Sequence, residues 1–132
     1  MSDTNLTGGC LCGAIRFKVT ASPLHSTVCY CTSCRRAFGA QSVAWVTVSL
    51  SSFSFTGTHP STFTSSPGVS RTFCGTCGTS LTYSREGRVD DIDIATATLD
   101  NPESCPPEGI VFPSNKVAWD ICIDKPILHD EG

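Results

Sequence analysis

The chain has 132 residues, of which 39% are apolar and 16% charged, and its net charge is −3. That length suits a single domain over residues 1–132, able to bury roughly two thirds of its unfolded surface. The mild negative charge argues against a nucleic acid or an anionic membrane held by bulk electrostatics, and leaves Arg35 and Arg36 as the one local basic spot.

Residues 1–5 have neither the basic start nor the apolar run of a signal peptide, and no apolar stretch reaches membrane-spanning length. A reducing cytoplasm, or the nucleus, is the expected setting. There, clustered cysteines bind metal more often than they form disulfides, and nine of them, an odd number, cannot all pair.

The elements expected in chain order are almost all strands. Over residues 14–19, Ile15, Phe17 and Val19 fall on one face. Residues 43–48 are β-branched and aromatic, and residues 52–55 alternate again before Gly57. Residues 58–68, rich in Ser, Thr and Pro, read as a loop with a functional role. Residues 80–83 form a further strand, and residues 89–99 a long one with Ile92, Ile94 and Thr96 on one face. One short helix is expected over residues 32–38, ended by Gly39, and the tail after Pro126 reads as a surface segment.

Seven cysteines fall into three clusters: Cys10 and Cys12, then Cys29, Cys31 and Cys34, then Cys74 and Cys77. In Cys74-Gly75-Thr76-Cys77-Gly78 the two thiolates can share one zinc from a tight turn, while glycines let the backbone fold under the metal. A redox dithiol has the same spacing but opens a helix in a βαβ setting, whereas strands flank this one. Cys10 and Cys12, two apart on an extended segment, face the same side and can complete the same site. The four would make a closed, structural zinc site that ties distant parts of the sheet together.

Cys29, Cys31 and Cys34 then form a tripod with one corner open. Three thiolates give a zinc site a net charge of about −1, a weak Lewis acid but a good acceptor of a fourth soft ligand such as a thiolate. His25, His59 and Cys105 are the protein groups that would close it instead. Cys105, in a stiff proline-rich turn, and Cys122, in an apolar strand-like run, are most simply free thiols. Trp45 and Trp119 read as core or pocket wall.

Three blocks of sequence carry a resemblance. They are Gly8-Gly9-Cys10-Leu11-Cys12-Gly13-Ala14-Ile15-Arg16, the run from Cys29 to Arg36, and residues 65–81 around Arg71-Thr72-Phe73-Cys74. With Lys116, Trp119 and the run to Pro126, they resemble the glutathione-dependent formaldehyde-activating enzymes, a family that includes the centromere protein V type domain. The resemblance implies an all-β, Mss4-like fold with few short helices. It implies two zinc ions per chain, a structural one on Cys10, Cys12, Cys74 and Cys77 and a catalytic one on Cys29, Cys31 and Cys34. The implied reaction is that of a carbon–sulfur lyase, joining the thiol of glutathione to formaldehyde. At Ile110 the chain departs from many members, which have His near that place.

The expected function is therefore addition or removal of a small aldehyde on glutathione or another small thiol. Arg35, Arg71 and Lys116 are candidates for the carboxylates of the thiol peptide, and Ser65 and Ser66 for its backbone. A non-catalytic, zinc-stabilised module that binds glutathione or a protein is the contending reading, and a labile metal or redox buffer is a third.

Overall fold

The computed structural model describes residues 5–130; residues 1–4, which carry most of the start read for a signal peptide, and residues 131–132 lie outside it. In chain order the elements are β1 (Leu6–Gly9), β2 (Arg16–Val19), β3 (His25–Cys29), α1 (Thr32–Phe38), β4 (Val43–Ser49), β5 (Phe53–Phe55) and β6 (Ser61–Ser66). Then come β7 (Val69–Phe73), β8 (Ser80–Arg85), β9 (Asp91–Ala95), β10 (Gly109–Val111) and β11 (Ile127–His129). The protein is mainly β, as its alternating pattern predicts.

Two sheets form. One has three antiparallel strands in the order β1-β2-β5. The other has eight, β11-β10-β3-β4-β9-β8-β7-β6, antiparallel except that β10 runs parallel to both β3 and β11. Ile15, Phe17 and Val19 are fully buried and face Val46, Val48, Ile92, Ile94 and Leu81 in one apolar core. Because side chains alternate along a strand, the residues between these core positions face the opposite side of the large sheet. That opposite side holds the cavity.

Three expectations are corrected. Within the expected loop of 58–68, residues 61–66 are a strand instead: β6 pairs with β7 across a two-residue Pro67-Gly68 turn, where Gly68 takes a φ of 76°. All six β6 residues are exposed, so burial leaves no periodic trace in its composition, and backbone pairing at a sheet edge makes the strand. The long strand stops at Ala95 and becomes a 3-10 turn over Thr96–Thr98, where the Thr98 hydroxyl donates to the Ala95 carbonyl at 2.7 Å. The tail is exposed as expected, yet residues 127–129 add a paired strand to the sheet.

The helix has the predicted bounds. Cys31 caps it, its sulfur accepting the Cys34 N–H at 3.3 Å, and Gly39 ends it in the left-handed region at φ 62°. No helix among the described residues is long and apolar enough to cross a membrane.

Candidate metal centres and the cavity between them

Strand pairing gathers the first cysteine cluster. The turn after β1 carries Cys10 and Cys12, and the turn after β7 carries Cys74 and Cys77, with all four sulfurs within 4.8 Å of one another. The Cys10–Cys12 and Cys12–Cys74 sulfurs are 3.6 and 3.8 Å apart. Sulfurs about 2.3 Å from a tetrahedral metal are themselves about 3.8 Å apart, so the spacing fits a zinc-sized ion. Backbone N–H groups point at the sulfurs: Ile15 donates to Cys10 at 3.2 Å, and Thr76 and Cys77 each donate to Cys74 at 3.4 Å. The Thr79 hydroxyl beside Cys77 helps pull that thiol down to about 5. The donor set thus fits a closed metal site.

The second cluster comes from the end of β3 and the start of α1. Cys29, Cys31 and Cys34 also lie within 4.8 Å of one another. Crowding drives their protonation apart. Hydrogen bonds from Cys29 and then Cys34 pull the Cys31 thiol down to about 2, while its bonds to Cys31 and Cys34 and its burial push Cys29 far up. Three thiolates at this distance need a cation among them, and three soft donors suit zinc.

None of the candidate fourth ligands joins this tripod among the described residues. His25 is exposed, 4.0 Å from the Glu108 carboxylate. His59 packs edge-on against Phe55, and Cys105 is buried in the other core. No disulfide forms among the described residues, so Cys105 and Cys122 are free thiols. Cys122 lies in no strand.

The tripod opens into a cavity of ≈ 650 Å³ on the exposed side of the large sheet. Strand register explains its floor. Arg71, Tyr83, Asp93 and Thr47 stand in one cross-strand row; Thr27 and Trp45 form the next. Val43, Cys29, Val111 and His129 make a third. Trp45 is buried between Phe38 and Tyr83, and so is both core and wall. Trp119, by contrast, is 72% exposed and lines no cavity described here, which corrects its expected place.

Of the five residues proposed to contact substrate, Ser65, Ser66 and Arg71 line this cavity. Arg35 does not; its guanidinium turns back along α1 to the Thr32 hydroxyl at 3.4 Å. Lys116 also stands away from the lining, just beyond the Pro113–Asn115 turn. Arg36, not Arg35, lines a second hollow of ≈ 500 Å³, which shares Ser33, Ser65 and Arg71 with the first.

Sequence reasoning missed several wall residues. Arg85 and Arg88 are on the far wall, with Arg88 bound to Asp91 at 2.7 Å and to both oxygens of Asp93 at 2.8 Å. Tyr83 and Arg85, two apart on one strand, were readable from the period of two. Phe112 and His129 were not: β11 brings His129 beside Val111, and its ring meets that of Phe112 edge-on at 5.1 Å. Phe112 has a φ of 55°, a left-handed backbone rare for a bulky residue and one that concentrates at functional sites.

Comparison with known proteins agrees with this picture. A crystal structure of a Rhodobacter sphaeroides protein superposes with a TM-score of 0.60 at 24% identity, covering 71% of this chain and 87% of that one, which supports the fold. No curated protein matches significantly. The sequence profile described as glutathione-dependent formaldehyde-activating enzyme matches residues 5–115, a span that includes both cysteine clusters. The chain belongs to the glutathione-dependent formaldehyde-activating enzyme family.

Proposed function

We propose that the protein is a zinc-dependent carbon–sulfur lyase that joins a small aldehyde, formaldehyde or one like it, to the thiol of glutathione or a similar small thiol. The observation that carries this reading is the three-sulfur cluster in the wall of a cavity large enough for a peptide thiol. In it Cys10, Cys12, Cys74 and Cys77 hold a structural zinc, and Cys29, Cys31 and Cys34 hold the catalytic one. The second ion would supply an open position for a soft sulfur and favour its deprotonation.

The chain's own residues do the rest. Trp45, Tyr83 and Phe112 line the cavity with rings and limit water near the sulfurs. Ser65 and Ser66, at the turn end of β6, offer hydroxyls to a peptide backbone. Arg85 makes the cavity attractive to a thiol that carries carboxylates, since the charge of Arg88 is offset by Asp91 and Asp93. Residues 1–132 act as one domain in the cytoplasm, where glutathione is abundant and thiols stay reduced.

The reading is tested on reduced, zinc-loaded protein by elemental analysis and by proton NMR of glutathione–formaldehyde exchange. Two zinc ions per chain and an exchange rate above the uncatalysed one are the expected results. One zinc ion and no rate enhancement would leave a binding module.

A further inference from the structure

Arg71 is held more firmly than a substrate-seeking surface arginine. Its Nε donates to the Ser65 hydroxyl at 3.3 Å, its Nη2 reaches the Cys34 sulfur at 3.9 Å, and its guanidinium lies over the Tyr83 ring, 4.9 Å from the centroid. These contacts come from β6, α1 and β8, so the group is fixed on three sides. The remaining nitrogen, Nη1, is buried and has no hydrogen-bond partner. A buried charged donor left without a partner is costly, and a fixed one beside a reactive sulfur cluster is pre-organised for something that arrives.

We propose that Arg71 Nη1 holds the oxygen of the carbonyl compound while its carbon is attacked by a sulfur presented at Cys29, Cys31 and Cys34. This rests on the aldehyde–thiol reading above and gives Arg71 a role other than carboxylate recognition. With Nε and Nη2 each engaged, the one nitrogen wholly without a partner grips one oxygen at a time, a carbonyl's or one of a short thiol's carboxylate, and cannot give the two-point grip of a carboxylate receptor. Position agrees: Nη2 of the same group already touches a sulfur of the tripod, so the donor lies beside the reacting centre and not at the far end of a peptide.

In the step, a sulfur lone pair forms the C–S bond as the C=O π pair moves onto oxygen. Nη1–H stabilises that oxyanion without giving up its proton, since arginine stays charged. The oxygen then takes a proton from water, matching the one the thiol released, and the sum is thiol plus aldehyde giving the hydroxyalkyl thioether. In reverse, the same donor steadies the oxygen as the C–S bond breaks.

The test is a molecular ruler read by binding. Ethanethiol, mercaptoacetate, 3-mercaptopropionate and 6-mercaptohexanoate are titrated calorimetrically into zinc-loaded wild type, Arg71→Lys and Arg71→Met. An oxygen held next to the sulfur predicts that wild type binds mercaptoacetate about ten-fold or more tighter than ethanethiol. The advantage should fade as the spacer lengthens, shrink in Arg71→Lys and vanish in Arg71→Met. Should Arg71→Met lose metal or fold, Ser65→Ala carries the test, because with these thiols, which have no peptide backbone for the hydroxyl to bind, it acts by untying Nε, and a partial loss is expected.

Equal affinity for charged and neutral thiols in wild type would overturn the proposal. So would an advantage that survives Arg71→Met, or one greatest for the longest spacer, which would make Arg71 a distant carboxylate receptor. A kinetic arm separates this from the parent reading. With formaldehyde and glutathione, Arg71→Met should lower kcat by about a hundred-fold while KM for glutathione stays within about two-fold. If wild type turns over no aldehyde but the short-spacer advantage holds, the aldehyde reading fails and the oxygen-holding assignment stands for another carbonyl.

Discussion

Cys31 serves two masters, and the two can be separated by chemistry. Its sulfur caps α1 by accepting the Cys34 N–H, and it also belongs to the tripod. Serine is a good helix cap but a poor zinc ligand. Cys31→Ser should therefore keep the helix and lose one metal per chain together with thiol-dependent activity. Cys31→Ala should lose the metal and also about 1 kcal/mol of stability. Metal analysis and thermal unfolding of the pair decide it; full metal content in Cys31→Ser would remove the residue from the cluster. The cysteine pattern made this residue legible in the sequence because ligand spacing is a local property. Arg88 and His129 were not, since one reaches the cavity from the turn between β8 and β9 and the other through the pairing of β11 with β10.

Individual strands show what local pattern can carry. Strand β2 was plain from Ile15, Phe17 and Val19 because one of its faces is buried and the other wet. Strand β6, exposed throughout, and β10 and β11, three residues each, were invisible because pairing partners define them. The β10–β11 pair is sensitive at Gly109. A Cβ there would lie 2.4 Å from Leu128 Cγ, so Gly109→Ala should push β11 away. Hydrogen exchange is the measurement: the Ile110 and Phe112 amides, bonded to Pro126 and His129, should lose protection while β3 and β4 keep theirs. Unchanged protection at both amides would show that Leu128 simply swings aside.

A second tie, from the small sheet to the segment after the Thr96–Thr98 turn, has a pH signature. Arg16 donates to Asp100 at 3.0 Å and, with the Thr7 hydroxyl, holds its carboxyl down at about 2 against an ordinary 3.8. The folded value is the lower one, so this stabilisation is complete above about pH 4 and is lost as pH falls through about 2. Both side chains are about half exposed, which limits the contact to about 1 kcal/mol or less. Asp100→Asn should lower stability at pH 7 by that amount and by only a small part of it at pH 2, as read from urea unfolding at each pH.

The whole molecule carries its two cysteine clusters in different settings. Cys10 and Cys74 belong to the main core, while Cys29 and Cys34 belong to the smaller one under the cavity. Four sulfurs hold a metal more tightly than three, and on the proposed reading the metal at the core site would be part of folding. Graded chelation should strip the tripod first, abolishing activity while circular dichroism is unchanged, and should unfold the protein only later. Cys74→Ser should give the late state at once, with aggregation and low metal content. Simultaneous loss of activity and fold would contradict the division of labour between the sites.

The order of strands has a consequence for how the protein is made. Cys29, Cys31, Cys34 and their helix leave the ribosome before the strand that flanks β3 on one side, β10, whose residues emerge about eighty positions later. During synthesis the tripod is thus complete and open on that side well before Val111, Phe112 and His129 arrive to wall it in. A nascent chain would therefore meet metal at a tripod that still lacks the Val111, Phe112 and His129 wall of the finished cavity.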